Sequence, residues 1–386
     1  MKKLVRITTV PISLEKLLEN QLSFMSDYFE VIAVSSDIER LYKFGVENKV
    51  KTKHIELTRQ ITPIKDLIAL WKMYWFLKKE KPSIVHSHTP KAGIIGMLGA
   101  KLAGVPIRLH TVAGLPLMET QGNKRRLLEF VEKLTYWSAS HVFPNSKGLY
   151  DFILQNKFTT KEKLSVIGNG SSNGINVNHF SPDSVPEEEK LKIKEELQIG
   201  HDDFVFVFVG RLVGDKGINE LVDAYSQILE LGYSNSKLLL VGDFEQELDP
   251  LKTKTIKRIK ENKHILSVGF KSDVRPYFAI SDCLVFPSYR EGFPNVVMQA
   301  GAMGLPAIVS DINGCNEIIV QDINGRIVPA KNVELLKREM LYLLGNKSVM
   351  MVMKSNSRGR IVGDFNQNVI WKELLAYYNN EIKSKV

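Results

Sequence analysis

The sequence predicts an α/β protein built from two doubly wound, Rossmann-like domains facing a cleft. Three observations carry this expectation. The chain has 386 residues, more than one ordinary core accommodates. Short β-branched runs alternate with amphipathic helical stretches along its length, the pattern of βαβ units and parallel sheets. The alternation also restarts after a polar stretch, at Phe204 to Val209, whose unbroken apolar run suits a parallel strand buried on both faces.

In order, Leu4 to Val10 reads as a first strand stopped by Pro11, and Ser13 caps a helix from Leu14 onward that puts Leu17, Leu18, Leu22 and Met25 on one side. Val31 to Val34 and His54 to Leu57 are the next strands, followed by an aromatic-rich helix from Pro63 to Lys79. Ile84 to His88 is a strand running into Thr89-Pro90, a cap and first-turn proline, and the helix beyond carries the small residues Ala92, Gly93, Gly96, Gly99 and Ala100. A strand at Ile107 to Val112, a loop through Gly114 and Pro116, a helix from Lys124 to Ser138, and strands at Val142 to Ser146 and Leu164 to Ile167 complete the first half. Gly168 to Gly174 has no helix pattern after it, so it reads as a turn or hinge rather than a phosphate loop.

These signals place an N-terminal domain at 1–180, a linker at 181–201 holding a short helix, and a C-terminal domain at 202–362. The second half repeats apolar strands at 238–241, 265–268, 284–286 and 307–309, with helical patterns between them. The last segment, 363–386, carries Trp371, Leu374, Leu375 and Tyr378 at helical spacing and is expected to return to the first domain.

Composition narrows the class. Hydrophobic residues make up 44% and charged residues 25%, the balance of a soluble globular protein, and no run approaches a membrane-spanning length. The formal charge of +9 is concentrated at one end: residues 1–176 hold 26 Lys and Arg against 15 Asp and Glu, and the remainder 26 against 28. Two isolated cysteines, Cys283 and Cys315, give no disulfide scaffold and no zinc pattern. With no signal peptide visible after Met1-Lys2-Lys3, the expected location is cytoplasmic, peripheral at the inner face of the membrane. Lysines 65, 72, 78, 79 and 81 among Trp71, Tyr74, Trp75 and Phe76, and Lys124, Arg125, Arg126 and Lys133 beside Tyr136 and Trp137, either form a surface able to rest on anionic headgroups or divide into core aromatics and solvated cations. No nucleic-acid-binding module accompanies this charge.

Two stretches carry chemistry. In Gly210-Arg211-Leu212-Val213-Gly214-Asp215-Lys216-Gly217, two cations flank a glycine-bearing loop at the carboxyl end of a strand, where a planar guanidinium and a point-charge ammonium can straddle a diphosphate. In Ser288 to Pro306, Glu291-Gly292-Phe293 turns into a helix with Pro294 at its first position. The amides of Asn295 and Val296 then meet an anion at the helix start.

Together with Val241-Gly242-Asp243, Val268-Gly269-Phe270, the H-S-H-T-P-K-A run at 86–92, H-T-V-A-G at 110–114 and P-N-S at 144–146, these stretches resemble the group 1 (family 4) glycosyltransferases, retaining enzymes of the GT-B fold. The resemblance implies that Arg211 and Lys216 hold the nucleotide diphosphate, that Glu291 contacts the donor sugar, and that the amides after Gly292 and Phe293 meet phosphate. It further implies that Gly269 and Phe270 lie beside the base and that His110 reaches the donor sugar and reacting centre. His86 and His88, at a strand end, are read as core or hydrogen-bonding residues ahead of functional ones. There are two departures. The family's second acid is Gln299 here, which weakens or retunes the ribose contact, and Val10 to Ser13 replaces the glycine pair usual after the first strand.

Within the family, H-T-P-K-A and the loop at Gly114-Leu115-Pro116 are most similar to bacterial surface-polysaccharide enzymes acting on polyprenyl-diphosphate-linked sugars. The expected reaction is metal-independent and needs no cofactor beyond a nucleotide-sugar co-substrate, a UDP-N-acetylhexosamine by resemblance. Two alternatives share the architecture: a sugar-nucleotide epimerase, and a non-catalytic membrane-associated scaffold, which Gln299 encourages.

Overall fold

The computed structural model describes residues 1–58, 60–245 and 249–385, with Pro116 and Glu119 described by backbone alone. The chain forms two compact units, Met1–Asn173 together with the chain from Gln367 onward, and Gly174–Asn366.

In the first unit the strands are β1 (Lys3–Ile7), β2 (Glu30–Ser35), β3 (Lys51–His54), β4 (Ile84–His88), β5 (Ile107–Val112) and β6 (His141–Pro144). The helices are α1 (Pro11–Ser13), α2 (Gln21–Ser26), α3 (Ile38–Asn48), α4 (Pro63–Glu80), α5 (Pro90–Ala103), α6 (Gly122–Ser138) and α7 (Lys147–Gln155). The strands pair in the order β3-β2-β1-β4-β5-β6, all parallel, with Val5 of β1 between Ile32 and Val85. Helices α4, α5 and α6 pack side by side. The small residues of α5 allow this: a Cβ at Gly99 would lie 2.9 Å from Met73 Cγ of α4.

In the second unit the strands are β7 (Phe204–Val209), β8 (Ser236–Val241), β9 (Ile265–Ser267), β10 (Cys283–Phe286), β11 (Ala307–Ser310) and β12 (Gly325–Val328). Around them lie α8 (Glu187–Glu196), α9 (Ile218–Glu230), α10 (Thr253–Glu261), α11 (Arg275–Ala279), α12 (Asn295–Ala302), α13 (Cys315–Ile318), α14 (Val333–Gly345) and α15 (Lys347–Asp364). The order β12-β11-β10-β7-β8-β9 is the same winding met in the first unit, and again every pair is parallel. Strand order reverses between β7 and β10, and a sheet of this kind opens a crevice beyond its strand ends at that switch point.

The last helix, α16 (Gln367–Ser384), belongs to the first unit, where Leu374 and Tyr378 are buried against the same cluster as Leu4, Leu109 and Phe143. A polar network runs beneath it. Arg6, fully buried on β1, donates to Tyr378 Oη (3.0 Å) and Gln21 Oε1 (2.6 Å) and meets His88 Nε2 at 2.8 Å. His86 bridges Tyr378 Oη (2.6 Å) and Thr111 Oγ1 (2.7 Å), its ring stacked on His88 at 4.4 Å.

Several expectations shift. The expected linker at 181–201 lies inside the second unit, because Val177, Phe180, Val185 and Ile199 are buried in its core and Arg358 of α15 donates to the carbonyls of Val177 and Phe180. The crossing falls at 173–174. The helix expected from Leu14 onward is broken, with a wide turn over Leu14–Leu18 before α2. Leu164 to Ile167 makes only one bridge, Val142 to Leu164, rather than a strand. Tyr136, read as a headgroup-facing aromatic, is fully buried because α6 turns that side toward the core, whereas Trp137 is exposed.

Candidate active site

The site is built on the two loops that flank the switch point of the second sheet. The first leaves β7 at Gly210, runs past Arg211, and tightens into a single turn at Gly214–Lys216 before α9. The second leaves β10 at Pro287 and reaches α12. They are locked together: Tyr289 N donates to Asp215 O (2.8 Å), and Arg290 binds the Asp215 carboxylate through Nε (3.1 Å) and Nη2 (2.8 Å). The approach is so close that glycine is required. Gly217 has φ +71°, and a Cβ there would lie 2.1 Å from Pro287 O.

Lys216 and Glu291, 75 residues apart, form an ion pair across this junction, each side chain 17% exposed. Ser288, itself buried, donates to Glu291 Oε1 at 2.9 Å, and Asn313 Nδ2 donates to Gly292 O at 3.0 Å. The carboxylate and the ammonium therefore sit in fixed places at the strand ends. Arg211, from the same first loop, is paired with Glu245 and is more open, at 56%.

Helix α12 begins at Asn295 with Pro294 as its cap residue in extended conformation, one position later than the sequence reading put it. The side chain of Phe293 is buried in the core against Phe365, so this residue offers the site its backbone. The positive end of the α12 dipole, at Asn295 and Val296, follows directly on the Glu291 turn. Gln299 lies one turn into α12 and is half-buried.

On the other side of β7, the loops after β8 and β9 are joined. Gly242 N donates to Gly269 O (2.9 Å), and Phe270 N donates to Asp243 Oδ1 (3.0 Å). A Cβ at Gly242 would lie 1.8 Å from Gly210 O, so this corner also admits only glycine. The Phe270 ring is 69% exposed at the rim.

In the first unit His110 is buried on β5, with Nδ1 2.9 Å from Ser87 Oγ. A Cβ at Gly93 of α5 would lie 2.6 Å from its Cε1, so the helix packs directly on the ring. Burial pushes the His110 pKa down to about 4, and the ring is neutral at physiological pH. His86 and His88, in the network under α16, are also driven well down by burial.

The profile of "Glycosyl transferases group 1" matches residues 189–360, and that of the "Glycosyl transferase 4-like domain" matches 29–170. The chain is 33% identical over 383 residues to the capsular polysaccharide biosynthesis glycosyltransferase CapM of Staphylococcus aureus, covering 99% of this chain and 98% of that one. The chain is a group 1 glycosyltransferase. It is also 32% identical over 315 residues, 80% of this chain and 78% of the other, to the UDP-Gal:alpha-D-GlcNAc-diphosphoundecaprenol alpha-1,3-galactosyltransferase of Escherichia coli. In fold, this glycosyltransferase resembles Anabaena Alr3699/HepE in complex with UDP, with a TM-score of 0.80 at 18% identity over 98% of this chain and all of the other.

The group 1 match spans Arg211, Lys216, Gly269, Phe270, Glu291 and Gln299 of this glycosyltransferase. The structure brings Lys216 and Glu291 into contact and sets Gly269 and Phe270 on the neighbouring loop corner. Sequence reasoning missed Asp215, Glu245 and Asn313, each of which acts on a residue of another loop, and Ser288, which holds Glu291 within its own loop. A serine directly before the Tyr-Arg-Glu turn was the one visible hint.

Proposed function

We propose that this glycosyltransferase moves a sugar from a nucleotide diphosphate donor, a UDP-N-acetylhexosamine by resemblance, onto a sugar carried on a polyprenyl diphosphate, with retention at the anomeric carbon. The reading rests above all on the Lys216–Glu291 pair at the switch point, followed at once by the start of α12. Lys216, Arg211 and the first-turn amides offer positive charge to a departing diphosphate. Fixed donors placed where negative charge develops are the largest single source of catalysis in such a step. Glu291, held by Ser288, accepts from donor sugar hydroxyls, and Gln299 from the ribose.

In this reaction the bond between the anomeric carbon and the phosphate oxygen breaks, and the acceptor hydroxyl oxygen bonds to that carbon from the same face. The hydroxyl proton passes to the departing phosphate oxygen, which leaves as nucleoside diphosphate. Neutral His110 serves as a hydrogen-bonding partner for the donor sugar, not as a cation. Because protein cations neutralise the leaving group, no metal ion is required. The acceptor class is supported by the name of the E. coli relative and by the capsular role named for CapM.

A panel of nucleotide sugars incubated with diphosphoundecaprenol-linked monosaccharides, with product masses read by mass spectrometry and the new linkage by NMR, tests the reading. An α-linked disaccharide from an α-linked donor is expected. Inversion would overturn the mechanism, and conversion of the donor without any acceptor would make the protein an epimerase instead.

A further inference from the structure

Two ion pairs lie side by side between the loops of the site. Asp215 and Lys216 are consecutive in the first loop, Arg290 and Glu291 in the second, and each meets the residue at the same step of the other loop: Asp215 meets Arg290, and Lys216 meets Glu291. The charges run minus-plus along one loop and plus-minus along the other. A displacement by one residue would therefore set Asp215 against Glu291, or Lys216 against Arg290, and like charges in contact repel.

The two pairs differ in exposure. In the inner one, Lys216 and Glu291 are each 17% exposed, and the Lys216 ammonium lies 5.9 Å from the centre of the Phe286 ring at the end of β10. In the outer one, Arg290 is 53% exposed and Asp215 19%. Asp215 is anchored on its own side as well, since its amide donates to Asp249 Oδ2 at 2.5 Å. The second loop is anchored through Tyr289, whose hydroxyl donates to Glu220 Oε2 of α9 at 2.7 Å.

Lys216 cannot serve two anions equally. A diphosphate entering the crevice competes for its ammonium, and Glu291 is then left to Ser288 and to the sugar hydroxyls. The inner pair loosens at the moment when the geometry matters most, and the Asp215–Arg290 pair is the charged link that still joins the loops. We propose, on the donor reading given above, that Asp215 and Arg290 are positioning residues of this transfer: their pair keeps the loops in step while the diphosphate draws Lys216 from Glu291. Arg290 acts through Asp215 and never touches the donor. A pair this open adds little to the stability of the fold, so its effect on the reaction can be read separately.

The full-length variants Arg290→Gln, Asp215→Asn, the two combined, and Arg290→Lys test this, each measured for kcat, donor KM, UDP affinity by calorimetry and thermal midpoint. The two neutral single variants should each lower kcat about ten- to hundredfold, the scale of a displacement of about 1 Å at a reacting group. UDP binding should weaken about two- to fivefold, the scale of an exposed ion pair, with the thermal midpoint lower by no more than about 4 °C. The double variant should be no slower than the worse single one, since the two residues make one contact, and Arg290→Lys should recover most of the rate. Three results would overturn the inference: a wild-type rate in Arg290→Gln, single losses that multiply in the double variant, or a fall in kcat that follows the thermal midpoint with UDP affinity unchanged, since the pair would then support only the fold. If the wild type turns over no nucleotide sugar, the donor reading fails and UDP affinity alone decides: weaker binding in Arg290→Gln than in the wild type sustains the positioning role, and equal or absent binding removes it.

Discussion

Arg211 donates to the carboxylate of Glu245, so one of the two cations assigned to the diphosphate is already matched by an acid of its own chain. The two residues come from the loops after β7 and β8, next to each other in the sheet. A diphosphate entering there must draw the guanidinium from Glu245. Such an exposed pair is worth at most about 1 kcal/mol. Glu245→Gln should therefore lower the donor KM about two- to fivefold with kcat little changed, whereas Arg211→Ala should raise it about tenfold or more, since a hydrogen bond to a charged group contributes about 1.5–3 kcal/mol. Initial rates over a range of donor concentrations decide both.

Lys216 and Glu291 are more enclosed, and removing either leaves the other charge partly buried without its partner. Lys216→Met and Glu291→Gln should each reduce kcat about 10²- to 10³-fold, the range for losing one electrostatic stabiliser of a transition state. Since the two touch, the double variant should fall well short of the product of the single losses. Full additivity in single-turnover rates would show that they act separately.

The corner where Gly242 meets Gly210 O leaves no room for a methyl group, and Gly242 has φ +149°. Gly242→Ala should cost about 1–3 kcal/mol from backbone strain, with more from the clash. A shift in the denaturant midpoint measures it, and the donor KM should rise alongside because the loop carrying Arg211 is displaced.

Two sets of buried groups pull stability in opposite directions with pH. Burial lowers His110 and His141 from 6.5 to about 4, so the folded protein binds fewer protons there than the unfolded chain. Their contribution is complete above about pH 6.5 and is lost as pH falls toward 4. Burial raises Glu132 from 4.5 to about 7, so its contribution is complete below 4.5 and is lost as pH rises through 7. Glu132→Gln should raise the thermal midpoint at pH 8 and change it little at pH 4.5, and His141→Gln should flatten the acid limb. Thermal melts across this range check both.

Strand runs such as Phe204 to Val209 were legible because parallel strands buried on both faces must be continuously apolar. Strand β3, Lys-Thr-Lys-His, was placed three residues too late because it is an edge strand whose side chains stay largely in water, so no apolar pattern marks it. Of the site, Arg211, Lys216 and Glu291 were visible through loop chemistry next to strands. Asn313 and Glu245 were not, because each is defined by a bond to another part of the chain, and Ser288 was not, because a serine in a turn carries no pattern that says which oxygen it binds. The domain crossing was misplaced for a related reason: polarity at 181–201 suggested a linker, but the few apolar residues within and before it decide where it packs.

The network joining Arg6 to Tyr378 has a consequence for how the chain is made. Arg6 lies on the first strand and its hydroxyl partner on the last helix, 372 positions later. When the first sheet is complete, Gln21 and His88 already meet Arg6 but Tyr378 does not, and a guanidinium buried with an incomplete set of partners is costly. The native set of contacts in the first unit is therefore incomplete until α16 is available, whereas the second unit, contiguous from Gly174 to Asn366, needs no later segment. The packing of the first unit is complete only when α16 has joined it, so the unit that holds β1 is the later of the two to reach its native state.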